Sequence, residues 1–204
     1  LVTLGYGMLT FTLGGLAHWL TRFLVEEKGL AQTEANYLLF AAIALAGTAG
    51  TLAGGYLGSG WQRRLPASSL WVSGLGLVLA WPLALAVIVS AAPALYLPCL
   101  MAAVFLLFLH PGVLTAAIVS VAPTALRAQA VALNIVIIHL IGDAPSSLLI
   151  GWVADHLNLT WGVSLTLVSL GLAAACILAA IPVLPRDLER VEGEKSPPGS
   201  TPGP

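Results

Sequence analysis

Residues 65–126 read LPASSLWVSGLGLVLAWPLALAVIVSAAPALYLPCLMAAVFLLFLHPGVLTAAIVSVAPTAL, and no Asp, Glu, Lys or Arg occurs between Leu65 and Leu126. About 20 consecutive apolar residues cross the hydrocarbon core of a bilayer. This run therefore holds two crossings and a turn between them. The turn is at Ala91-Ala92-Pro93, because proline has no N–H to donate and its ring clashes with the preceding helical turn. A second charge-free run lies between Asp155 and Arg186. Only lipid solvates stretches of this length, so the chain reads as an integral membrane protein.

Composition agrees. Of 204 residues, 58% are hydrophobic and 8% charged, against roughly 25% charged in soluble domains. The mean hydropathy is +0.95. A formal net charge of −1 leaves no basic stripe to neutralise phosphates, which excludes nucleic acid as a partner. Cys99 and Cys176 sit in apolar runs without metal-ligand spacing, and no cofactor motif accompanies them. The first apolar stretch lacks the basic n-region of a secretory signal. The chain opens at Leu1 directly into apolar sequence, which points to an upstream portion beyond it.

Cutting the apolar runs at charges and at Pro/Gly punctuation gives an all-α membrane protein of six spans. They cover about 1–24, 34–57, 68–90, 94–122, 127–154 and 160–184. Thr33-Glu34 is read as the start of the second. The Pro-, Gly- and Ser-containing tail, 185–204, cannot bury a core and is expected to be disordered. With six spans, Arg63, Arg64, Arg127, Arg186, Arg190 and Lys195 share one side, and Arg22 and Lys28 the other. The positive-inside rule then places both chain ends in the cytoplasm. Trp19, Tyr37, Trp152 and Trp161 fall near span ends, where ordinary interface anchoring accounts for them.

Polar groups at membrane depth are costly and mark sites. The fifth span is richest in them: Asn134, His139, Asp143, Pro145, Ser146 and Ser147. His139 and Asp143 are four apart and share a helix face, whereas Asn134 faces elsewhere. Pro145 frees a backbone carbonyl beside the acid and bends the span. Asp143 is thus either a coupling or substrate site or a neutral acid tying two helices together. In the fourth span, His110-Pro111-Gly112 reads as a hinge with a polar group facing a cavity, or as a kink whose histidine bonds a carbonyl. Thr10 is the first-span candidate ligand, although threonines here can bond their own backbone. Gly47, Gly50, Gly54 and Gly58 are spaced for close helix packing.

Six spans with broken helices, and a second–third loop ending in Arg63 and Arg64, resemble the C-terminal half of a major facilitator superfamily transporter. The loop Gly55-Tyr56-Leu57-Gly58-Ser59-Gly60-Trp61-Gln62-Arg63-Arg64 resembles a degraded copy of the superfamily's cytoplasmic gate motif, with Ser59 at the acidic position. Leu9-Thr10-Phe11-Thr12-Leu13-Gly14-Gly15-Leu16-Ala17-His18-Trp19 is similar to a Spinster-like pattern. So is His139-Leu140-Ile141-Gly142-Asp143-Ala144-Pro145-Ser146, continued by Gly151 and Asp155. Ser147 and Leu20-Thr21 depart from that pattern. The resemblance covers about residues 1–184. It implies a missing N-terminal six-helix half and secondary active transport of a small or lipid-like amphiphile, such as a lysolipid or sphingoid phosphate. Protons are the implied driving ion, Arg63 and Arg64 the implied gate loop, and the implied location is a multi-pass position in the cell membrane, as in a bacterial inner membrane.

Two other classes compete. An intramembrane aspartyl protease needs a second membrane acid to share a proton with Asp143, and the sequence has none at that depth. A serine hydrolase needs a nucleophile elbow, which surrounds neither Ser146 nor Ser147. A non-transporting membrane subunit is opposed only by the His139–Asp143 pair.

Overall fold

The computed structural model describes residues 1–62, 67–186 and 188, with 59–62 as backbone. The gate-loop arginines Arg63 and Arg64 and nearly all of the tail lie outside these residues. The described chain is helical, without strands. Its helices are α1 (Val2–Glu26), α2 (Gln32–Ala41), α3 (Thr48–Gln62), α4 (Ser68–Val89), α5 (Pro93–Leu107), α6 (His110–Ser120), α7 (Arg127–Ile138), α8 (Ala144–His156) and α9 (Leu159–Ala180). Wide π turns at Ala42–Gly47 and His139–Asp143 join α2 to α3 and α7 to α8.

Five helical runs are long and apolar enough to cross a membrane: Gln32–Gly58, Ser68–Val89, Pro93–Ser120, Thr124–His156 and Leu159–Ala180. The chain is a multi-pass membrane protein. Helix α1 has 25 residues, about 37 Å at 1.5 Å per residue. Its glycines, threonines and His18 make it the least apolar of the long helices.

Local chemistry sets the ends. The second run starts at Gln32, earlier than Thr33-Glu34 suggested, because Glu34 reaches back to accept the Ala31 N–H at 3.3 Å. Asn158 caps α9, its Oδ1 accepting the Trp161 N–H at 2.9 Å. Pro93 opens α5 after Ser90 Oγ accepts the Ala92 N–H. After α9, Ile181–Val183 form a turn, Leu184 is buried and residues 184–186 are helical.

The fourth run breaks at Phe108-Leu109, just before Pro111, whose missing N–H cannot continue the ladder. The fifth widens just before Pro145: the Ala144 N–H reaches His139 O, five residues back. These are the two disturbances the proline positions predict.

Packing follows a repeated scheme. Helix α1 lies on α9 and on the His139–Asp143 turn; α5 lies on α4 and on the Ala42–Gly47 turn; α4 and α9 pack on each other. The contacts of α1 to α4 therefore parallel those of α5 to α9 with roles exchanged. Glycine permits the close approaches. A Cβ on Gly50 would collide with the Phe105 carbonyl, one on Gly54 with the Leu109 carbonyl, and Gly47 faces the Phe108 ring. Near the other end, Lys28 donates to Ile88 O at 2.8 Å and Ser90 O at 2.7 Å, over the rings of Phe23 and Tyr96. This fastens the α1–α2 loop to the end of α4. Burial from the neighbouring apolar groups lowers the Lys28 pKa.

Gly54→Ala is expected to destabilise the protein by about 1–3 kcal/mol, because the methyl meets backbone that cannot rotate away. Gly112→Ala adds a methyl with nothing within 4 Å and should be neutral or stabilising. Melting in detergent checks both; equal effects would contradict the packing.

Candidate functional site

A cavity of about 550 Å³ opens between α1, the α2–α3 turn, the α5–α6 break and the His139–Asp143 turn. Its walls are apolar, from Leu13, Leu20, Ile43, Leu107, Phe108 and Ile138. Tyr6, Thr10, Thr21, His139 and Asp143 are the polar or titratable groups on it. Of the residues singled out from sequence, Asp143, His139, Thr10 and Pro111 line this one space.

The acid is held by a contact that requires glycine. Gly142 sits against the backbone of α1, where an added Cβ would strike Gly7 O and lie 2.9 Å from Phe11 N. The Asp143 carboxylate then rests over Gly14, where a Cβ would overlap Oδ1 and stand 2.9 Å from Cγ. His139 Nδ1 lies 3.3 Å from Asp143 Oδ2, as the four-residue spacing predicts. The side chains are 58% and 40% exposed, so the pair opens into the cavity. Asp143 is therefore partly exposed on the cavity wall. The wide turn displaces it from a helix-buried position onto the cavity wall.

Thr10 faces the cavity, but its hydroxyl donates to Tyr6 O at 2.8 Å. It is a spent donor with a free lone pair. His110 does not line the cavity. It shares the buried stripe of α6 with Val113, Leu114 and Ala117, and its Cε1 stands 2.9 Å from where a Cβ on Gly76 of α4 would be. Among the described residues neither ring nitrogen has a hydrogen-bond partner. The structure places His110 in the interior rather than on this cavity, and Pro111, one residue on, takes the wall. Gly112 is exposed and Pro145 half-buried. Asn134 is buried, away from the acid.

Three participants were missed. Tyr6 was not among the candidates drawn from sequence, yet it lines the wall. Gly14 is the seat of the carboxylate; its seven-residue spacing from Gly7 was the available signal. Trp19 was read as an interface anchor, but its indole donates to Ser147 O at 3.1 Å, with the ring over Gly151. It ties α1 to α8 beyond Pro145.

Chemically, the site holds one acid with a histidine and a large apolar surface. No second acid lines the cavity. Ser146 is fully buried and donates to Asp143 O at 2.7 Å. No group of three or more His, Cys, Asp or Glu that could hold a metal occurs among the described residues.

Gly14→Ala should destabilise the protein by about 1–3 kcal/mol despite alanine's better helix propensity, because its methyl occupies the carboxylate's place. Combining it with Asp143→Ala should recover part of that loss. Additive losses in a double-mutant melting cycle would show that the two positions do not meet.

The fold is shared with a bacterial homologue of the human lysosomal transporter Spinster. Against its inward-facing, unoccupied crystal structure the TM-score is 0.77 at 21% identity, over 91% of this chain and 48% of that one. Against the inward-facing, occupied structure the values are 0.76, 20%, 93% and 49%. The chain spans about half the length of these structures. No family model and no curated protein matches the sequence. The chain is Spinster-like in fold, the resemblance that the segments around Gly14 and Asp143 carry in the sequence.

Proposed function

We propose that this chain is one six-span half of a major facilitator-type secondary transporter, with α1 crossing as the sixth span. In this reading it moves a small or lipid-like amphiphile and is coupled to protons. The observation that supports it best is the cavity itself: an acid–histidine pair on an apolar wall, beside both broken helices. Transporters place their sites on such interrupted helices, where irregular backbone can rearrange. The exposed apolar residues of α2, α3, α7 and α8, among them Phe40, Leu52, Leu133 and Leu148, would meet the other half and lipid. The bacterial homologue of the human lysosomal transporter Spinster has the same fold over about half its length.

Asp143→Asn preserves side-chain shape but cannot bind or release a proton. In proteoliposomes holding this bundle with its other half, the variant should keep its melting temperature while accumulation driven by a pH gradient falls to background. Normal uptake by a folded Asn variant would remove Asp143 from the mechanism.

The orientation reading puts the α1–α2 loop outside and both chain ends in the cytoplasm. With Cys99 and Cys176 replaced, Glu27→Cys should react with an impermeant maleimide on intact cells. Thr124→Cys should react only after permeabilisation. The reverse pattern would invert the topology.

A further inference from the structure

The resemblance allows a phosphate-headed substrate; the cavity's own chemistry favours another head group. We infer that the wall supplied by this chain receives the head of a cationic amphiphile, a primary amine on a single apolar tail, and disfavours its phosphate-headed counterpart. This rests on the transport reading above and narrows it.

The charge inventory carries the inference. Among the described residues, Asp143 is the one acid lining the cavity, and no Lys or Arg lines it. A phosphate needs several donors, usually including a guanidinium or ammonium. Here it would find only the His139 ring and the hydroxyls of Tyr6, Thr10 and Thr21. The Thr10 proton is already committed to Tyr6 O at 2.8 Å. Even with His139 protonated, Asp143 at 3.3 Å offsets that charge. An ammonium, in contrast, brings three donors to a site rich in acceptors. Asp143 is 40% exposed toward the cavity, so one flank is open to a ligand.

Geometry supplies the tail. Leu13, Leu20, Ile43, Leu107, Phe108 and Ile138 surround the rest of a space of about 550 Å³, within the range of pockets that enclose small amphiphiles. The seat over Gly14 fixes the carboxylate at one edge, so head and tail positions are separated.

The test uses three probes with one tail: dodecylamine, dodecyl phosphate and dodecanol. Binding is measured to the protein in phosphatidylcholine nanodiscs, against empty nanodiscs. Dodecylamine should bind at least about tenfold more tightly than dodecyl phosphate, the scale of one charge-assisted contact. In Asp143→Asn, with its fold checked by melting, the preference should shrink to about twofold or less. Equal binding by the wild type, or a preference for phosphate, would overturn the inference; so would an amine preference that survives Asp143→Asn. Ala17→Trp, which fills the cavity, separates the two levels. If it abolishes dodecanol binding while the wild type shows no amine preference, the cavity stands and the head-group assignment falls. If it leaves binding of all three probes unchanged, the cavity reading itself falls.

Discussion

A carboxylate can rest on a helix only where that helix has no side chain, and Gly14 is that place. The contact between α1 and the His139–Asp143 turn is an approach of backbone to backbone, with Gly142 against Gly7 O and the Asp143 carboxylate over Gly14. In lipid no hydrophobic force presses helices together, so close packing and interhelical hydrogen bonds hold the bundle. The opposite pair uses the same device, with Gly50 and Gly54 on the carbonyls of Phe105 and Leu109. Each contact falls where one helix is broken. A broken turn lacks some of its own ladder and accommodates a neighbouring backbone more readily than a regular one.

Hydroxyls and indoles reinforce these contacts. Thr12 donates to Thr166 O at 3.1 Å, Ser169 to Met8 O at 2.5 Å, and Trp81 to Leu167 O at 3.0 Å. All three fasten α9 to its neighbours, and Trp19 does the same for α8. Bonds of this kind contribute about 0.6 kcal/mol each on average, so they set register more than total stability. Helices α4 and α9, joined by the Trp81 bond and by an apolar core around Leu70, Leu77, Leu170 and Ile177, form the closely packed side of the bundle. The cavity lies on the other side, among the interrupted helices.

His110 and Asp143 illustrate two ways of placing a polar group in such a fold. His110 is enclosed without a hydrogen-bond partner, on the scaffold side against Gly76. A neutral imidazole tolerates that position at a cost an ionised carboxylate could not bear. Asp143, by contrast, keeps a histidine beside it and an opening into the cavity. The sequence offers both as midspan polar residues next to a proline. Only the face of the helix each occupies distinguishes them.

The charge-free runs determined that this is a multi-pass membrane protein, because no other solvent suits them, and Pro111 and Pro145 marked two of its breaks, because a missing N–H is a local fact; the wide turn at Ala42–Gly47 carries no proline and was not legible in this way. The four-residue spacing paired His139 with Asp143, and the glycine series in α3 announced close packing. Which helix lies under those glycines was decided by tertiary structure, as was the seat at Gly14, the use of Trp19 as a strut and the inward turn of His110. Each depends on residues distant in the chain meeting across a helix face. Periodicity gives the face; it does not give the partner.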